Sequence, residues 1–133
     1  MTTLGSKRVI GPLSPGRSAY TEDAVFTHPG GAAELRCMYE RAGSMYVGGL
    51  HFLRVRAYRF RAEGHCTAWH VEDAYDTLVE VEHSEWVEEL LAAEPSETWG
   101  QWKMRHFLIF IDGSGAYEVI AEDVRWLPEQ LAS

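Results

Sequence analysis

The sequence predicts an α+β chain that is mainly antiparallel β, a β-sandwich or open barrel of about six to eight strands with one helix near residues 84–94. Three observations predict it. Runs of alternating apolar and polar residues recur along the chain, most clearly at 50–61, 75–82 and 116–122. A turn signal, Asp112-Gly113-Ser114-Gly115, separates two of the strongest strand-like runs. Strands do not alternate with helices along the chain, which argues against a parallel doubly wound sheet.

Residues 1–18 carry Gly5, Gly11, Pro12, Pro15 and Gly16 and few large apolar side chains, so a flexible tail is expected there. Residues 19–133 then form a single β-rich domain, a size that buries roughly two-thirds of the unfolded chain's surface. Residues 34–42 fit either period: Leu35, Met38, Tyr39 and Ala42 suit a helix, and Leu35, Cys37 and Tyr39 suit a strand. The turn at Gly43-Ser44 favours a hairpin, hence a strand. In 50–61, Leu53, Val55 and Ala57 share one parity, but Tyr58 and Phe60 continue on the other. A strand whose apolar parity flips carries a bulge or bend.

Strand is expected again over 66–72, with Thr67, Trp69 and Val71 on one face, and over 75–82. Ser84 then reads as an N-cap, with Glu85, Glu88 and Glu89 at the positive end of a helix dipole. Trp86, Val87, Leu90 and Leu91 form its buried apolar stripe, and Pro95 ends it. Residues 103–111 are apolar on both faces, as in a strand at the centre of a sandwich or under a helix. Tyr117, Val119 and Ala121 alternate against Glu118 and Glu122, and a last short strand, Val124 to Leu127, is expected to stop at Pro128.

Charge narrows the function. The 133 residues include 12 Lys and Arg against 20 Asp and Glu, a formal net charge of -8. Such a chain is unsuited to a phosphate backbone or an anionic membrane surface, so neither nucleic acid nor membrane is an expected partner. No signal peptide and no long apolar run is read, so the expected location is the cytoplasm. Cys37 and Cys66 show no disulfide-framework spacing. Ser114 between two glycines is a hairpin turn, too short for a phosphate-binding loop, and no cofactor motif occurs elsewhere.

Six histidines raise the question of a metal. His65 and His70 differ in parity, and Cys66 and His70 lie about 13 Å apart along an extended strand. Neither pair closes on one ion with bonds near 2 Å. A metal-dependent enzyme using His65, His70, His106 and an acid is therefore an alternative reading, and no catalytic set is expected. A cysteine nucleophile ranks below it, since no Gly-x-Ser-x-Gly elbow or cysteine-protease signature is present.

The most distinctive feature is electrostatic. Residues 72–99 hold Glu72, Asp73, Asp76, Glu80, Glu82, Glu85, Glu88, Glu89, Glu94 and Glu97 and no Lys or Arg. Residues 54–61 hold Arg54, Arg56, Arg59 and Arg61. Cross-strand pairing of Arg54 or Arg56 with Glu80 or Glu82 is one explanation. An acidic face that steers a basic partner is another. Trp69 and Trp86 fit core positions, whereas Trp99 and Trp102 lie in a connection and can serve an interface.

The stretch Tyr75-Asp76-Thr77-Leu78-Val79-Glu80-Val81-Glu82-His83-Ser84-Glu85-Trp86 and the stretch His106 through Ala121 resemble small bacterial β-rich proteins. Some of those are similar to immunity proteins that neutralise partner toxins. The resemblance covers the second half of the chain and rests on strand and turn patterns. It implies an antiparallel sandwich and a protein-binding role, and it brings no catalytic residue with it.

The expected function is thus a non-catalytic interaction module that binds a basic protein. Glu85, Glu88, Glu89, Glu94, Glu97, Trp99 and Trp102 are the candidate partner-binding residues. The alternative is a small-ligand-binding barrel with Tyr58, Phe60, Trp99 and Trp102 near its mouth. Exposed strand edges permit a homodimer.

Overall fold

In a computed structural model of the chain, the described residues are 5–13, 24–28, 30–95 and 101–132. Seven strands form one antiparallel sheet: β1 (Ser6–Pro12), β2 (Val25–Thr27), β3 (Ala33–Arg41), β4 (Ser44–Ala62), β5 (Thr77–Glu82), β6 (Arg105–Ile111) and β7 (Gly115–Leu131). Their order across the sheet is β1-β5-β6-β7-β4-β3-β2. Two helices, α1 (Ala68–Val71) and α2 (Glu85–Ala93), flank β5 in the chain, and a 3-10 turn, Glu63–His65, precedes α1. The mainly β, α+β expectation holds. The sheet is not closed, which is the open-barrel form of that expectation.

The sheet curls around one apolar cluster. Leu35 and Cys37 of β3, Leu50 and Phe52 of β4, Leu78 of β5, Phe107, Ile109 and Ile111 of β6, and Tyr117, Val119 and Ala121 of β7 all belong to it. Strands far apart in the sheet can share a cluster only if the sheet bends. Phe52 and Phe107 meet with centroids 6.0 Å apart, one strand from each half. On the other face, Val79, Val81, Leu108, Phe110 and Ala116 form a second cluster with Trp69 and Val71 of α1. All of β6 from His106 to Ile111 is buried, as a strand covered on both faces must be.

Residues 34–41 are strand, and Ala42 and Gly43 close the β3–β4 hairpin with φ of 51° and 83°. Two positive φ values in a two-residue loop match the right-handed strand twist. The flip of parity in 50–61 is a bulge: the β4–β7 register shifts between Val55 and Ala57. A second shift lies between Val47 and Gly49.

Four expectations are corrected. Residues 6–12, read as part of a tail, pair antiparallel with β5, Ser6 opposite Glu82 and Pro12 opposite Thr77. The sheet edge accepts their Gly and Pro because only one side of β1 is paired. Residues 66–72 are not strand. Thr67 and His70 form a capping box that starts the single turn of α1. β7 does not stop at Pro128 but continues to Leu131. The proline sits where the β4–β7 ladder skips from Leu127 to Gln130, so its missing N–H costs no ladder bond. The apolar stripe of α2 is half-buried rather than buried.

Candidate functional site

The sheet register assembles the site on the helix side. Arg59 of β4 stands directly opposite Glu118 of β7. On the other edge of β7, His106 of β6 pairs with Ile120, which makes His106 and Glu118 diagonal neighbours on one face. Val81 of β5 lies opposite His106. Two residues beyond Val81, His83 takes a left-handed φ of 56° and turns the chain into Ser84, the cap of α2. Ser84 Oγ accepts from the Val87 N–H at 3.1 Å, the capping bond the sequence implied.

These placements create a continuous hydrogen-bonded row. Ser84 Oγ lies 2.8 Å from His106 Nδ1, and His106 Nε2 lies 2.7 Å from Glu118 Oε1. Arg59 donates through Nε to Oε2 at 3.0 Å and through Nη2 to Oε1 at 3.1 Å. Ser84, His106 and Glu118 are 7%, 3% and 3% exposed. Burial pushes the Glu118 carboxyl up, but the hydrogen bonds from His106 and Arg59 and their charges outweigh it and hold the group at about 2. An ionised Glu118 can only accept, so His106 Nε2–H donates to it. That leaves Nδ1 facing the Ser84 hydroxyl.

A second histidine approaches the same carboxylate. His70 Nδ1 accepts from the Thr67 N–H at 3.0 Å, which leaves its Nε2 toward Glu118 Oε2 at 4.0 Å. Burial lowers the His70 pKa against the pull of Glu118, and Arg61, Arg59 and Lys7 lower it further. Trp86 stands edge-on to His106 with centroids 5.2 Å apart and carries the Arg59 guanidinium 3.9 Å above its ring. Trp69 packs against His70, and Lys7 sits over its ring. Arg59, Trp69, His70, Ser84, Trp86, His106 and Glu118 line a cleft of about 430 Å3, which Arg61, Glu85 and Glu89 also border.

Of the expected partner-binding residues, Glu85, Glu88 and Glu89 are exposed on α2. Glu94 is only partly exposed, and its carboxylate oxygens are shielded without a partner among the described residues. Glu97 and Trp99 lie outside the described residues. Trp102 is half-buried beneath Arg56, whose guanidinium is 4.4 Å from the ring. Tyr58 and Phe60 are 48% and 52% exposed and border a separate aromatic groove of about 280 Å3 with Phe26 and Tyr117.

The fold separates the histidines of the metal alternative into different settings. His65 is exposed on the 3-10 turn, whereas His70 and His106 are buried. Among the described residues, no group of three or more His, Cys, Asp or Glu side chains is placed to hold a metal ion. The arginine pairing is also redrawn. Glu80 bonds Arg105 and Arg8, Arg54 pairs with Glu122, and Arg56 stacks on Trp102. β4 neighbours β7 and β3 rather than β5, so Arg54 and Arg56 never face Glu80.

No helix among the described residues is long and apolar enough to cross a membrane. No family model, no curated protein and no solved structure matches the chain.

Proposed function

We propose that this chain is a small-ligand-binding protein whose site is the cleft between α1, α2 and the outer face of the sheet. The observation that carries the reading is convergence. Arg59, Arg61, His70, His106 and Glu118 approach one space of about 430 Å3 flanked by Trp69 and Trp86. Ligand sites have that size and that mixture of aromatic walls with few polar groups. The displaced titration of Glu118 and His70 is a second mark of a functional cleft. The ligand class is a small polar molecule able to meet both guanidinium and carboxylate groups.

Ligand-observed and amide NMR with a library of small polar fragments tests this. Fragments that bind should shift the amides of residues 67–70 and 84–89. Shifts confined to Phe26, Tyr58, Phe60 and Tyr117 would move the site to the aromatic groove and refute the reading.

A second reading keeps the interaction module. It is favoured by the exposed Glu85, Glu88 and Glu89 on a nine-residue helix that carries no Lys or Arg. A basic partner would be steered to that face. Replacing all three by lysine should abolish co-purification of such a partner in native mass spectrometry. Undiminished co-purification would remove α2 from the interface.

A further inference from the structure

We propose that Ser84 is a nucleophile and that the cleft hydrolyses small carboxylic esters, with His106 as its base and Glu118 as the positioning residue. The inference rests on the cleft being the ligand site and names the chemistry done there.

Three independent placements carry it. First, Ser84, His106 and Glu118 form an unbroken row with heavy-atom distances of 2.8 Å and 2.7 Å. A nucleophile, a base within hydrogen-bond reach and a group that orients the base are the minimum for acyl transfer. The residues come from three different elements, as convergent triads do. Second, Ser84 occupies a sharp turn from β5 into α2, made by His83 in the left-handed region. A β-carbon-bearing residue is uncommon there, and such conformations gather at functional sites. Third, Ser84 lines the cleft at the first turn of α2. The N–H groups of Glu85 and Trp86 belong to that turn and have no partner within the helix. They are the natural donors for a charge developing beside Ser84.

The step balances without any further reactant but water. The Ser84 hydroxyl gives its proton to His106 Nδ1 as Oγ bonds to the ester carbonyl carbon. The carbonyl electron pair moves onto oxygen, beside the α2 N–H groups. Its return breaks the bond to the alkoxy oxygen, which leaves as an alcohol with the proton from His106. Water then gives a proton to His106 and attacks the acyl carbon, and Ser84 departs with that proton. Glu118 stays ionised throughout, accepting from Nε2–H and stabilising the imidazolium. Arg59 holds that carboxylate from the other side, and its own place is fixed by Trp86. Nothing in the row requires Ser84 to give up its bond from Val87, because the attacking oxygen keeps a lone pair for it.

A fluorophosphonate probe tests this on the unmodified protein. Attack by Ser84 Oγ forms an O–P bond and expels fluoride. One adduct per chain on the peptide containing Ser84 is expected, together with hydrolysis of 4-nitrophenyl acetate or butyrate. Ser84→Ala and His106→Asn should each lower that hydrolysis by at least about 100-fold. In Glu118→Gln the acid limb of the kcat/KM profile should move to lower pH, a change that loss of packing alone would not produce. No adduct, or an adduct on another residue, overturns the proposal whatever the variants do. If cleft-binding fragments shift residues 67–70 and 84–89 but no adduct forms, the ligand site stands and the nucleophile falls. If neither occurs, both fall.

Discussion

Glu118 and His106 touch at 2.7 Å across a strand pair, and each is only 3% exposed. Glu118 is the hub, because Arg59 and His70 reach the same carboxylate. Removing one member of a buried pair leaves the other charged or polar group stranded. Glu118→Ala should therefore destabilise the fold by about 3 kcal/mol, read from urea unfolding. Glu118→Gln keeps the shape and should cost less.

Acid should weaken the protein in two stages. The folded His70 pKa lies below its ordinary 6.5, so the unfolded chain takes up that proton first as pH falls, and stability declines from there. The folded Glu118 carboxyl titrates at about 2 against an ordinary 4.5. Its contribution, roughly 3 kcal/mol, is complete above 4.5 and is lost as pH falls toward 2. Both terms have the same sign, so the urea midpoint should fall below pH 6.5 and more steeply below 4.5. His70→Gln should flatten the first stage and leave the second.

Ser84→Ala should cost about 2 kcal/mol. It removes an N-cap, worth about 1 kcal/mol, and leaves His106 Nδ1 without its partner. Thermal unfolding measures the loss. Ser84→Asn restores a cap oxygen but not the smaller volume, so it should not recover the full stability.

Gly49→Ala should cost about 3 kcal/mol or more. A β-carbon there would stand 1.8 Å from the Leu35 carbonyl oxygen, and φ is +147°. Backbone cannot retreat as a side chain can. Gly64→Ala, which meets nothing within 4 Å, should change stability by less than about 0.5 kcal/mol in the same assay.

The two thiols should differ in reactivity. Burial, with a smaller push from Asp76, raises the Cys37 pKa to about 12, and the side chain is 2% exposed. Thiolate is the reacting form, so Cys37 should stay silent toward a disulfide reagent until the protein unfolds. Cys66 is partly exposed and should supply the single native equivalent, lost in Cys66→Ala.

Much of the fold was legible because local rules and tertiary needs agreed. The parity flip at 57–58 marked a real bulge, and Ser84 marked a real cap. Two segments escaped for physical reasons. β1 gains its order from β5, far along the chain, against its own Gly and Pro content. α1 is one turn long, too short for a period to show. Glu118 escaped because alternation alone does not tell a solvent face from one that helices cover. Here α1 and α2 cover that face, so the polar member of the pattern is buried and paired. The one available signal was His106 at the head of a strand apolar on both faces, a place where an imidazole needs partners.

The long pairing of β4 with β7 also governs how the protein is made. Residues 63–114 separate the two strands in the chain. A growing polypeptide must carry β4, with Tyr58 and Phe60 on it, until residues 115–131 have been synthesised. Until then the edge of β4 that β7 will cover is open to other chains. Charged side chains disfavour pairing along an open strand edge, and this strand carries Arg54, Arg56, Arg59 and Arg61. Two of these charges, Arg54 and Arg59, thus stand on the unfinished chain before Glu122 and Glu118, their partners in the folded protein, have been made.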